Sequence, residues 1–322
     1  MFNSRSNTKR NIVVFAVFGA LFLGSACSSQ QDSGMVAVSE NFETSTTTEV
    51  IIETTTTTEV VTLIEPSASD FPQAIISLSA TATEILFAIG AGDQVIAVDE
   101  YSTFPPEAPV TDLSGFTPNV EAIAEYDPDL VLISYDPGDL VAGLELLDID
   151  VLVQGTASSL EETYSQIIEL GEKTGHFAAA EELNASISTD LSSLTENPVG
   201  AGLTYFHEVD NTLYTATSST FIGQLYTLLG LENIADPADD QGFGYPQLSP
   251  EYIIGADPDL IFLADAVWGE SIETLAERPG WAELTAIKNN RVVALDETSG
   301  RWGPRVVDFL TQIHSAITDL EN

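Results

Sequence analysis

The side chains best equipped for chemistry are three histidines, one cysteine and a recurring set of aromatic residues. His176, His207 and His314 share no metal-ligand spacing, so no zinc motif is visible, and Cys27 is the only cysteine, so no internal disulfide can form. His207 follows Tyr205-Phe206 at an expected strand exit, where it either ligates haem or another metal complex or makes only hydrogen bonds. Gly90-Ala-Gly92 follows a helix and precedes a strand, the reverse of the dinucleotide-binding order, and reads as a helix C-cap. No Gly-x-Ser-x-Gly elbow occurs in the folded part, and with 50 acidic residues no carboxylate pair is informative about acid–base work. Catalysis therefore finds little support, and no enzyme is expected. The aromatics are more telling: Tyr101 and Phe104, Tyr135, Trp268 and Trp302 each fall in a loop that follows an apolar run. Rings gathered at strand exits suit a wide apolar cleft rather than a core.

The elements that position those loops are written in a long internal repeat. Glu121 to Ile133 (EAIAEYDPDLVLI) matches Glu251 to Leu263 (EYIIGADPDLIFL) at a fixed offset of 130 residues. Each copy predicts a helix and then a strand, with Asn119 and Ser249 as N-caps and Pro250 in the first helical position. The Asp before Pro128 or Pro258 is pushed out of helical dihedrals and ends the helix. Further apolar runs at Ile75 to Leu78, Val95 to Val98, Val151 to Val153, Leu203 to Phe206 and Val292 to Leu295 alternate with helical stretches, which is α/β architecture twice over. Between the halves, Leu183, Ile187, Leu191 and Leu194 mark a helix of about five turns, a rigid connection with no glycine-rich hinge.

Residues 1–26 carry Arg5, Lys9 and Arg10 without an acid, then the apolar run Ile12 to Leu23 and three small residues, the pattern of a signal peptide. Cys27 after Leu-Gly-Ser-Ala is similar to a lipobox, although Leu23 lies one residue farther from the cysteine than usual; ordinary cleavage after Ala26 is the alternative. Residues 27–66 are rich in Ser, Thr and Glu, with Thr46 to Val50 repeated as Thr56 to Val60, and are expected to form a disordered tether averaging about 35 Å from end to end. An edge strand at Val50-Ile51-Ile52 or Val60-Val61 is the competing reading.

The whole chain carries 9 basic against 50 acidic residues, a net charge of −41, and loses three basic residues with the signal. Such a chain repels phosphate backbones and anionic lipid, so no nucleic acid and no membrane contact beyond a lipid anchor is expected. The excess fits a salty habitat or a lineage-wide composition. Five of the six remaining basic residues, Arg278, Lys288, Arg291, Arg301 and Arg305, fall in the last 45 positions. Arg301, beside Trp302, either binds an anionic ligand group bidentately or pairs with Asp296 or Asp308.

Taken as an ordered set, Ser77 to Gly90 (SLSATATEILFAIG), Tyr101 to Pro106 (YSTFPP), the two Asp-Pro-Asp-Leu repeats, Tyr245 to Glu251 (YPQLSPE), Arg278 to Trp281 (RPGW) and Gly303-Pro304-Arg305 resemble the vitamin B12/ferric-siderophore family of ABC-transporter substrate-binding proteins over about residues 73–320. The resemblance implies an α/β fold of two doubly wound parallel-sheet lobes bridged by a long rigid α-helix, with the ligand in the cleft between them. The boundaries expected are 67–174 for the N-terminal lobe, 175–197 for the bridging helix and 198–322 for the C-terminal lobe. It implies delivery of a ligand to an ABC permease and its ATPase without fixing which ligand; together with the signal and Cys27, the expectation is an exported, membrane-anchored monomer with no cofactor of its own that captures a corrinoid or ferric-siderophore metal chelate. A haem binder of the same family and an extracellular hydrolase are the alternatives. Carried over residue by residue, Glu121 and Glu251 occupy the places of the family's permease-docking glutamates, although both also suit the first turn of a helix. Tyr245 falls where a cobalamin binder of the family has a tryptophan facing its ligand. Gly115 and Ser134 fall where that binder has two more, with Phe116 and Tyr135 one residue later. The candidate ligand contacts are thus Tyr101, Phe104, Phe116, Tyr135, His207, Tyr245, Trp268, Arg301 and Trp302.

Overall fold

The computed structural model describes residues 71–319; the expected signal peptide, Cys27 and the Thr-rich tether lie outside the described residues. The first half runs β1 (Ile75–Leu78), α1 (Ala80–Ala88), β2 (Val95–Val98), α2 (Val120–Ala124), β3 (Leu130–Ile133), α3 (Leu140–Glu145) and β4 (Asp150–Val153). Two long helices follow, α4 (Leu160–Thr174) and α5 (Phe177–Thr195). The second half runs β5 (Thr204–Glu208), α6 (Phe221–Leu228), β6 (Glu232–Asn233), α7 (Pro250–Ala256), β7 (Leu260–Leu263), α8 (Ile272–Glu277), α9 (Thr285–Lys288), β8 (Val292–Ala294) and α10 (Val306–Thr318).

Each half folds into a four-stranded, all-parallel sheet, and the strand orders, β2-β1-β3-β4 and β6-β5-β7-β8, are the same order twice. The 130-residue repeat maps onto equivalent elements, α2–β3 and α7–β7. All four residues of β1, β3 and β7 are buried, which is why these strands read as continuous apolar runs: helices cover both faces of the sheet.

The Asp-Pro-Asp motif does the same structural work in both halves. Its first Asp, Asp127 or Asp257, takes a left-handed conformation (φ 52° and 47°) and terminates the helix. Its second accepts backbone N–H bonds at the start of the neighbouring strand: Asp129 from Gln73 and Ala74 (2.7 and 3.0 Å), Asp259 from Thr204 (2.9 Å). Asn119 and Ser249 are the N-caps expected, accepting from Ala122 and Tyr252.

The chain turns from α4 into α5 at Gly175 (φ 81°), where a Cβ would also lie 2.6 Å from the Phe71 ring, so glycine is required twice over. Helix α5 packs against α4 and α10. One apolar core runs through this layer, joining Ile85 and Leu86 of α1, Leu170 of α4 and Ile187 of α5 to Tyr226 of α6 and Phe309 of α10. The two lobes thus share a core rather than meeting across a polar seam, which restrains their relative movement.

Two details differ from the sequence reading. Strand β5 continues past Phe206 through His207 and Glu208, which pair with Phe262 and Leu263 of β7. The two-residue β6 carries no apolar run to mark it in the sequence. Among the described residues, no helix is long and apolar enough to cross a membrane, and no group of three His, Cys, Asp or Glu side chains could hold a metal.

Candidate functional site

A cavity of about 530 Å³ opens beyond the carboxyl ends of the first sheet's strands, where parallel sheets present their loops to ligands. It gathers Tyr101, Phe116 and Tyr135 from loops after β2 and β3, and Arg301 and Trp302 from the segment before α10. The residues thus come from both halves of the sequence. Tyr101, Phe116 and Tyr135 are 54, 62 and 43% exposed, so apolar ring surface is held open to solvent. The rings touch one another: Tyr101 and Phe116 meet edge to face at 5.3 Å between centroids, and the Tyr135 hydroxyl donates a long hydrogen bond to the Phe116 carbonyl at 3.4 Å.

Beneath the rings lies a buried polar shelf. Ser102 Oγ donates to Asp99 at 2.6 Å, tying down the loop that carries Tyr101, while Thr83 Oγ1 of α1 donates to Ser77 Oγ at 2.8 Å. Burial pushes the Asp99 carboxyl up despite the Ser102 hydrogen bonds. Gly115 lies against this shelf: a Cβ there would sit 2.6 Å from the Leu78 carbonyl oxygen and 2.7 Å from Asp99 Oδ2. No tryptophan fits at 115 without moving backbone, and the adjacent Phe116 supplies the ring instead. Gly115→Ala should destabilise the protein by roughly 1–3 kcal/mol, the usual range for overpacking, which a urea titration would read.

Arg301 pairs with neither Asp296 nor Asp308. Its Nε–H donates to Glu84 of α1 at 3.2 Å, and Arg305 donates to the same carboxylate through Nε (3.0 Å) and Nη2 (2.6 Å). Glu84 is 3% exposed, and the only sequence signal for it is a carboxylate set between Thr83 and the apolar Ile85-Leu86-Phe87, which must find a partner if buried. Arg305 also lies over the Phe104 ring at 4.2 Å, so Phe104 braces the arginine and does not line the cavity.

The second lobe treats its strand ends differently. His207, expected in a ligand loop, is 1% exposed inside β5, with Nδ1 2.9 Å from the Tyr226 hydroxyl. Burial pulls its imidazole down to about 4, so it is neutral and enclosed within the strand rather than at its exit. The next residue, Glu208, is fully buried and takes both arms of Arg278 at 2.7 and 2.6 Å, while Arg278 also donates to Glu270 at 2.9 Å. Asp265, just past β7, joins this group. It is 3% exposed and neither carboxylate oxygen receives a hydrogen bond from a described residue, so burial first, and then the Glu208 charge, push it up to about 7. Tyr245 and Trp268 stand exposed on second-lobe loops, at 49 and 79%, and are not part of the cavity wall. Glu121 and Glu251 are exposed at the second position of α2 and α7.

Comparison with known proteins agrees with this architecture. A family model described as periplasmic binding protein matches residues 75–298. An uncharacterized ABC transporter substrate-binding lipoprotein of Bacillus subtilis, YvrC, is 31% identical over 258 residues, covering 76% of this chain and 80% of the relative. A cobalamin-binding protein of Halobacterium salinarum is 28% identical over 272 residues, covering 78 and 73%. The crystal structure of the vitamin B12 binding protein BtuF of Vibrio cholerae aligns with a TM-score of 0.62 at 25% identity, covering 78% of this chain and 98% of that one. The chain therefore belongs to the periplasmic binding protein family, as the extracytoplasmic substrate-binding component of an ABC transporter.

Proposed function

We propose that this protein captures a corrinoid or a ferric-siderophore chelate and presents it to the permease of its importer. The observation that carries the reading is the aromatic cavity: three half-exposed rings in mutual contact, with Trp302 from the other half of the chain. Such a wall suits a large, rigid, weakly polar metal complex, because covering exposed ring surface is worth about 25 cal/mol per Å². The likeness to a cobalamin-binding protein favours a corrinoid. Tyr245 and Trp268 are the candidate contacts from the second lobe. In a thermal-shift measurement, cyanocobalamin or a ferric hydroxamate chelate at a hundredfold excess over its Kd should add about 2.7 kcal/mol of stability. An unchanged melting temperature with both chelates would count against this reading.

Glu121 and Glu251 are the proposed permease contacts, one per lobe, supported by their exposure and their equivalent places in the repeated helices. Cys27 is the proposed lipidation site, and the likeness to a substrate-binding lipoprotein favours it over plain cleavage. Two acyl chains give durable anchoring where one does not. Cys27→Ala should move the protein from the membrane to the soluble fraction with its melting temperature unchanged; equal membrane retention would contradict lipidation.

A further inference from the structure

The two arginines that meet at Glu84 are not used alike. Arg305 is fully engaged: Nε and Nη2 donate to Glu84, Nη1 donates to Glu297 at 3.0 Å, and its plane lies over Phe104. Arg301 donates through Nε alone, and its Nη1 and Nη2 have no hydrogen-bond partner among the described residues. The same side chain is 20% exposed and lines the aromatic cavity. Glu84 itself is enclosed in α1 and takes all three arginine bonds from a segment more than 200 residues away in sequence.

We propose that Glu84 is a positioning residue for ligand capture. Braced by Arg305, it holds Arg301 by Nε only and leaves the guanidinium's outer edge on the cavity wall as a fork for an anionic group. This deepens the ligand reading above and rests on it: among metal chelates, the site favours one that carries a carboxylate or comparable anion beside a flat or bulky body. The charges of Glu84, Glu297, Arg301 and Arg305 sum to zero and Asp99 lines the same cavity, so the preference rests on the geometry of a guanidinium edge that no acid among the described residues occupies, not on local net charge. Two N–H donors in a planar fork match a carboxylate, which a lysine ammonium cannot do. Only part of the Arg301 charge is spent on Glu84, because a single bond at 3.2 Å is the weakest of the three.

The test has a ligand-free arm and a binding arm. The chain from residue 27 on holds four arginines, Arg278, Arg291, Arg301 and Arg305, so their Nε–H signals are resolvable in a ¹H–¹⁵N spectrum. Glu84→Asp keeps the charge but withdraws the carboxylate by one methylene, and should shift the Arg301 and Arg305 signals while leaving Arg278 in place. In titrations with hemin, a planar chelate with two carboxylates, Glu84→Asp and Arg301→Gln should each weaken binding about tenfold, the scale of one charge-assisted hydrogen bond. The double variant should be no weaker than Arg301→Gln alone, because Glu84 acts through Arg301. Glu84→Gln, which leaves two guanidiniums short of a partner, is the harsher variant and is read by the spectrum if it folds. Additive losses, or a Glu84→Asp protein that binds hemin like wild type, would overturn the proposal. A wild-type protein that binds cyanocobalamin but not hemin would overturn the anion preference. A protein that binds neither of these nor a ferric hydroxamate chelate would remove the ligand reading, and the Arg301 signal would still decide whether Glu84 sets the guanidinium.

Discussion

Uptake into vesicles that carry the permease and its ATPase should fall to background when Glu121→Ala and Glu251→Ala are combined, while the ligand Kd stays at the wild-type value. Both carboxylates are exposed in the first turn of a helix, and neither helix depends on them for its start. Asn119 and Ser249 accept the N-cap bonds, at 2.8 and 3.1 Å, and remain in the variant. A carboxylate at this position is worth about 0.3–1 kcal/mol to its helix. Truncating a charged side chain in a desolvated protein–protein interface costs about 2–5 kcal/mol, so two truncations abolish productive docking long before the fold suffers. The glutamates lie outside the cavity wall, which is why affinity should not follow uptake. Transport at the wild-type rate, or a loss of ligand affinity, would contradict the docking assignment.

Asp265→Asn should make the protein more stable at pH 8 and change little at pH 4. Asp265 is enclosed with Glu208, Glu270 and Arg278, and Arg278 is already shared by the other two acids. Its carboxyl is raised from an ordinary value near 3.8 to about 7. Below the lower value both folded and unfolded chains hold the proton and nothing is lost. Between the two, the unfolded chain releases a proton that the folded chain keeps, so stability falls as pH rises, and above about 7 the folded state bears the full cost of a buried, unpaired charge. With about 1.4 kcal/mol per pH unit, the asparagine should gain roughly 2–4 kcal/mol at pH 8, seen as a melting temperature several degrees higher. A variant that is less stable than wild type at pH 8, or equally stabilised at both pH values, would show that Asp265 is not the group that carries the penalty.

How much of this was legible in the sequence follows from the range of the interactions. The 130-residue repeat announced duplicated α/β lobes because each copy contains its own helix cap, helix stop and buried strand, all set by neighbours a few residues apart. The strand-exit rule found Tyr101, Tyr135 and Trp302, since position in the chain and position at the sheet's edge coincide there. It failed for His207: the apolar run ends at Phe206, but strand pairing continues, and His207 is satisfied by Tyr226, 19 residues away, across a fold no local pattern records. It placed Phe104 at the right end of the sheet but could not show that the ring would be taken up by Arg305. Glu84 was the most hidden residue. It looked like one more acid among 50, and its role exists only because α1 meets the segment before α10. Asp265 was hidden for the same reason, as its environment is built from Glu208 on β5, Glu270 ahead of α8 and Arg278 just after it.

The rings beyond the first sheet, with Arg301 and Trp302, are the proposed ligand site. Equilibrium dialysis with cyanocobalamin and a ferric hydroxamate chelate, read by the absorbance of the metal complex, tests it most directly when wild type is compared with Phe116→Ala/Tyr135→Ala. Wild type should take up one equivalent of at least one chelate, and the double variant, which keeps the buried core intact, should bind it at least a hundredfold more weakly, the scale expected when two aromatic rings are removed from a binding wall. Binding that survives the removal of both rings, or no binding of either chelate by the wild-type protein, would contradict the account.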